Sequence, residues 1–180
     1  MDETWHKRFL EMAYLVATWS KDPSTKVGAV AVGKRREVLA TGYNGFPRGI
    51  QDDERYSDRE LKYKLVVHAE LNVCLHAARL GTPLEGSTLY ITLSPCSTCA
   101  GALIQAGFKE VIIPLVKEPE RWKEDFNLGR KILWEAGIEV RATEVSVPSS
   151  PSILQQAAQE CAGFNQELAE ALMRAAVIRS

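Results

Sequence analysis

Residues 66–81 read VVHAELNVCLHAARLG, and residues 88–107 read TLYITLSPCSTCAGALIQAG; these two stretches decide the fold. The first is a helical run over 66–80, stopped by Gly81 and Pro83. The second opens as an alternating strand over 88–93. It continues as a helix begun at Pro95, where a missing N–H costs little, and ended at Gly107. His68 and Glu70 stand at the start of the first helix, and Cys96 and Cys99 at the start of the second. The two cysteines are one helical turn apart and can reach one metal ion. One His and two Cys make three good zinc ligands. Zinc held by three protein ligands keeps its fourth position for water, whereas a structural site is closed by a fourth ligand. Water so bound loses its proton near neutral pH and becomes a usable nucleophile. Glu70, two residues beyond His68, is then placed to carry protons.

Upstream of this block, Trp5, Phe9, Met12, Ala13 and Val16 recur at helical spacing, so residues 3–19 should form a helix with one face on the core. Asp22-Pro23-Ser24 reads as a turn. Strands over 27–32 and 38–43 follow, joined by the charged tip Lys34-Arg35-Arg36. Asn44-Gly45-Phe46-Pro47-Arg48-Gly49 breaks the pattern and lets backbone approach a ligand. The polar stretch QDDERYSDRELKYK (51–64) is long for a connection inside a compact domain, which favours a functional loop over a solvated one. Downstream, a strand over 111–116, a helix over 120–136 and a strand over 138–143 imply a crossover and hence a parallel pair. The sum is an α/β domain: a five-stranded mixed sheet with helices on both faces, over residues 1–145. VPSSPS (147–152) marks a linker taken over 146–152, and the Ala- and Leu-rich residues 153–180 a C-terminal helical extension.

The chain has 180 residues with 46% hydrophobic content, enough for one domain with a sizeable core. Its 22 basic and 23 acidic residues give a net charge of -1 and form no dominant basic cluster. A partner held through a phosphate backbone calls for a positive face, so a small substrate is expected and nucleic acid is not. Four cysteines, at 74, 96, 99 and 161, form no disulfide framework, and Cys74 reads as a small core residue. The charged, amphipathic N-terminus lacks the apolar run of a signal peptide or membrane span, so the expected location is cytoplasmic.

H-x-E joined to P-C-x-x-C is the signature of the zinc-dependent base deaminases, in which the Glu is the acid/base and no ligand. Taken together, SKDPSTKVGAV, TGYNGFPRG, YKLVVHAELN, TLYITLSPCSTCA and IQAGFKEVI resemble the deoxycytidylate (dCMP) deaminases across residues 5–143. The resemblance implies a three-layer α/β/α sandwich of the cytidine deaminase type. It makes His68, Cys96 and Cys99 the ligands of a catalytic Zn2+ and Glu70 the proton shuttle for converting dCMP to dUMP and ammonia. It assigns Asn44 to the nucleotide at the mouth of the site, and Ser20, Lys21, Asp22, Thr25 and Lys26 to its phosphate and sugar. Tyr63 has two readings, against the base or as core filler. Asn72 is either a further substrate contact or a helix-surface amide. Gly42, Tyr43, Asn44 and Gly45 fall where regulated members bind an effector. This implies a homo-oligomer, a hexamer by resemblance, activated by dCTP and inhibited by dTTP, with Mg2+ accompanying the triphosphate.

Three departures bear on this. Ser97-Thr98 stands where the cellular enzymes commonly have Asn-Glu, Ala100-Gly101-Ala102 is closer to the tRNA adenosine deaminases, and the 37 residues after Thr143 have no counterpart. No second, structural zinc is expected, because no cysteine precedes residue 74. The competing readings are a deaminase of tRNA adenosine or of a free base, and a zinc-stabilised interaction module without turnover.

Overall fold

The apolar runs read as strands assemble into one sheet in the computed structural model, which describes residues 2–145. The expected linker at 146–152, the helical extension at 153–180 and Cys161 lie outside the described residues. The strands are β1 (Gly28–Val32), β2 (Val38–Tyr43), β3 (Thr88–Ile91), β4 (Glu110–Pro114) and β5 (Glu139–Thr143), in the spatial order β2-β1-β3-β4-β5. β1 runs antiparallel to both β2 and β3, while β3, β4 and β5 are mutually parallel. The sheet is therefore mixed, as the crossover between the last two strands requires.

Helices cover both faces, so β1 and β3 are buried throughout, and β1 is apolar at every position. One face carries Val30, Val32, Tyr90 and Ile112 against Phe9, Leu10, Ala13 and Val16 of α1 (Glu3–Ala17). The opposite residues, Ala29, Ala31, Leu89, Ile91, Val111 and Ile113, pack on the other layer. That layer holds α3 (Ala69–Leu80), α4 (Ser97–Gln105) and α5 (Lys123–Glu135). Small residues bring α3 down onto the sheet edge: a Cβ on Gly42 would lie 2.4 Å from the carbonyl oxygen of Ala69.

Three boundaries differ from the sequence reading in ways that shape the site. The helix expected over 66–80 starts only at Ala69, because Val67 is extended and exchanges backbone hydrogen bonds with Gly45 (3.1 and 2.9 Å). The stretch read as a loop contains a short 3-10 turn, Glu54–Tyr56, and α2 (Arg59–Leu65). Its stop and start signals are local: the Asp58 carboxylate accepts the N–H of Leu61 (3.0 Å), Glu60 lies in the first turn, and Lys62 and Lys64 in the last. Pro95 lies outside α4, whose N-cap is Cys96 itself. Among the described residues, no helix is long and apolar enough to cross a membrane.

Candidate active site

The N-termini of α3 and α4 converge. His68 is the N-cap of α3, Cys96 is the N-cap of α4, and Cys99 follows one turn into α4. His68 Nδ1 lies 3.5 Å from Cys96 Sγ and 3.5 Å from Cys99 Sγ. The three ligand atoms all lie within 4.8 Å of one another. Around a tetrahedral zinc with ordinary Zn–S and Zn–N bonds, neighbouring donors stand roughly 3.6 Å apart, so the triad fits that ion. The donors are also chemically prepared. The Cys99 thiol donates to Cys96 and, with His68, holds the Cys96 thiol well below the ordinary thiol value against the effect of burial. Cys99 keeps the shared proton and is pushed up by Cys96 and by burial. A divalent cation draws such a coordinating thiol into its deprotonated form.

Glu70 sits in the first turn of α3 and is only 4% exposed. Burial pushes its carboxyl up to about 7, with the charge of His68 opposing. A carboxyl at that value can both take and give a proton near neutral pH. His68, Glu70 and Cys96 line an open cleft.

Of the residues the sequence assigned to substrate, Asp22, Thr25, Asn44 and Tyr63 line this cleft. Ser20 stands behind them, donating to the Asn44 carbonyl (2.7 Å) and accepting from the Asp22 N–H (3.2 Å). Lys21 and Lys26 are exposed and off the cleft lining. The Asn44 amide accepts from the N–H of Val27 (2.7 Å) and donates to the Thr25 carbonyl (2.9 Å) and Asp22 (3.3 Å), so it braces the wall. Asn72 is also off the lining, and ties α3 to β2 through the Tyr43 carbonyl (2.7 Å). Tyr63 meets Trp122 edge-on, with ring centroids 5.5 Å apart.

The segment assigned to an effector has structural work within the fold. Gly42 makes room for α3, Tyr43 packs edge-on against Trp19 at 6.2 Å, and Gly45 bridges to Val67. Only Gly42 requires the missing Cβ, since one on Gly45 would meet nothing closer than 3.7 Å.

The cleft also contains residues the sequence did not single out. Lys62 is buried in an ion pair with Asp22 (2.7 Å) and donates to Ser24 Oγ, pinning α2 to the turn after α1. Arg121 and Trp122 come from the 3-10 turn Glu120–Trp122 ahead of α5, and Phe126 from α5 itself. Arg121 lines the cleft with no ion-pair partner among the described residues. The caps around residues 58–64 were a usable signal for α2 and hence for Lys62. Arg121 gave none, because EPERWKEDF reads as the solvated start of an amphipathic helix.

Residues 3–115 match the sequence model of the cytidine and deoxycytidylate deaminase zinc-binding region. The chain is 42% identical over 142 residues to an uncharacterized deaminase in the luxG 3′ region of Aliivibrio fischeri, covering 78% of this chain and 94% of that protein. It is 41% identical over 114 residues to the human deoxycytidylate deaminase, covering 60% of this chain and 63% of that protein. Its fold matches the crystal structure of the dCMP deaminase of cyanophage S-TIM5 in complex with dCMP and dUMP. That match has a TM-score of 0.67 at 29% identity and covers 79% of this chain and 99% of that one. A motif-bearing match over most of the domain, joined to a ligand triad with zinc spacing beside a buried carboxyl, leads to one conclusion: the chain belongs to the cytidine and deoxycytidylate deaminase family.

Proposed function

We propose that this protein hydrolyses the exocyclic amine of dCMP to give dUMP and ammonia, with residues 1–145 as the catalytic unit. The observation that carries the reading is the buried Glu70 carboxyl lining an open cleft, beside the His68, Cys96 and Cys99 triad. Zinc held by those three residues supplies Lewis-acid activation of water.

The chain's own groups do the rest. Glu70 accepts a proton from the attacking water and delivers it to N3 of the cytosine, which makes C4 a better electrophile. It then takes the proton of the new C4 hydroxyl and gives it to the amine, which leaves as ammonia while C4 becomes a carbonyl. Proton transfer of this kind contributes about 10²–10⁴-fold. Tyr63 and Trp122 offer aromatic surfaces to the base, and Phe126 backs Trp122 at 6.2 Å. A 5′-phosphate needs a cation that is not already paired. Lys62 is neutralised by Asp22, and Lys21 and Lys26 are off the cleft, which leaves Arg121 as the phosphate partner at the cleft mouth. Asp22, Thr25 and Asn44 then shape the sugar side of the wall.

The finer parts of the proposal are a cytoplasmic homo-oligomer, a hexamer by resemblance, with dCTP activating, dTTP opposing and Mg2+ accompanying the triphosphate. Their support is the likeness of the 42–45 segment to regulated members, and saturation curves with each effector alongside light scattering test them. The catalytic proposal is tested by offering dCMP, deoxycytidine, cytidine, dCTP and an adenosine-bearing tRNA loop, and following ammonia. Release from dCMP well ahead of the others supports it; release chiefly from the tRNA loop or from the nucleosides overturns it.

A further inference from the structure

We infer that one face of α5 is the jig that sets the two-cysteine side of the metal centre, with Asp125 and Arg130 as its positioning residues. Residues 125, 126, 129 and 130 share that face, by the i, i+4 spacing of a helix. Between them they touch nearly all of the loop and helix start at 94–99. Arg130 donates to Ser94 Oγ (2.8 Å), and Ser94 is buried two residues before Cys96. Gly129 lies so close that a Cβ on it would sit 2.6 Å from the Pro95 carbonyl oxygen and 3.2 Å from the Cys96 carbonyl carbon. The Asp125 carboxylate accepts both the N–H (3.2 Å) and the hydroxyl of Ser97. Phe126 is buried against Cys96 and Cys99.

The chemistry explains why an outside group is needed. A helix N-cap is ordinarily Ser, Thr, Asp or Asn, whose oxygen satisfies the N–H of the second or third helical residue and leaves that of the first free. At α4 the N-cap is a metal ligand, and its sulfur reaches only the N–H of Cys99, at 3.4 Å. Asp125 satisfies the N–H of Ser97, the first helical residue, which an N-cap side chain does not reach. Arg130 is itself locked, with Glu118 gripping both of its terminal nitrogens (2.7 and 3.1 Å) and Asn127 accepting at 2.7 Å. Groups that orient metal ligands in this way typically change metal affinity about 10–100-fold when removed.

The inference rests on the zinc reading of the triad, so its test reads metal binding apart from turnover. Zinc-loaded wild type, Asp125→Ala, Asp125→Asn and Arg130→Lys are titrated with a chelator, and the Co2+-substituted proteins are compared by their visible absorption. Lys131→Ala on an exposed part of α5 is the control. Expected is a loss of zinc affinity of about 10–100-fold for Asp125→Ala, with a shifted Co2+ band. Asp125→Asn and Arg130→Lys should fall between it and wild type, because each keeps part of the hydrogen bonding. If Asp125→Ala fails to fold, the two conservative variants decide by the same readouts. Zinc affinity and Co2+ spectra matching wild type in the folded variants, with only thermal stability lowered, would make Asp125 and Arg130 ordinary helix-packing residues and overturn the inference. Wild-type protein that binds neither metal would instead sink the zinc reading itself.

Discussion

Replacing Lys62 by Met should destabilise the zinc-loaded protein by about 3 kcal/mol, the lower end of the roughly 3–5 kcal/mol expected when one partner of a buried ion pair is removed. The pair is buried on both sides, with side chains 8% and 3% exposed, and its 2.7 Å separation leaves no room for water. Without Lys62, Asp22 keeps a charge in the interior. It also keeps the N–H and hydroxyl of Ser24 (2.8 and 2.9 Å), the N–H of Thr25 (3.2 Å) and the Asn44 amide (3.3 Å). Those donors hold the cost at the lower end. For a chain of this size the loss corresponds to a drop in Tm of roughly 6–12 °C, read by thermal denaturation at fixed zinc.

Acid adds a second readout. Burial raises the Asp22 carboxyl, but the Lys62 ammonium with the Ser24 and Thr25 donors outweighs it and holds the group below its ordinary 3.8. A depressed folded value contributes stability that is complete above the unfolded value and lost as pH falls through the folded one. The gap between wild type and Lys62→Met should therefore be constant above about pH 5 and close at lower pH. A Lys62→Met protein within about 1 kcal/mol of wild type at neutral pH, or a gap that widens in acid, would refute this account of the pair.

Arg121→Gln removes a cleft-lining cation that has no ion-pair partner among the described residues, and a charge-assisted bond is worth about 1.5–3 kcal/mol. KM for dCMP should rise roughly 10–150-fold while deoxycytidine turnover is unchanged; equal effects on both substrates would release Arg121 from the phosphate role. Gly42→Ala should cost about 1–3 kcal/mol in thermal stability, because the new methyl collides with the backbone of α3. A stability equal to wild type would show that α3 can retreat. Cys96→Ala and His68→Ala should each lose the bound zinc along with activity, measured by elemental analysis; stoichiometric zinc in Cys96→Ala would remove it from the ligand set.

The chemical centre was legible because its parts are local. His68 and Glu70 are two residues apart, Cys96 and Cys99 one turn apart, and Gly81, Pro83, Pro95 and Gly107 mark the helices that carry them. The strands were legible for a similar reason, since helices on both faces leave runs such as Gly28–Val32 uniformly apolar. The helix ending at Leu80 was read three residues too long at its start for want of one long-range fact: Val67 is held extended by Gly45, 22 positions earlier. Arg121, Trp122, Asp125 and Arg130 were illegible because only the crossover between β4 and β5 brings α5 over the Cys96 loop. In sequence their charges look like an exposed helix face. Lys21 and Lys26 are exposed and do not line the cleft, whereas Lys62, from an element the sequence reading left as a loop, lines it and is neutralised there by Asp22.

The most direct test of the account is the steady-state rate of dCMP conversion to dUMP by Glu70→Gln, measured against wild type at matched zinc content. The substitution keeps the size of the side chain and removes its ability to move a proton. The account predicts full zinc occupancy, retained dCMP binding and a kcat lowered by at least about 10²-fold. A Glu70→Gln protein that holds zinc and turns over dCMP within about tenfold of wild type would contradict it, because some other group would then be carrying the proton.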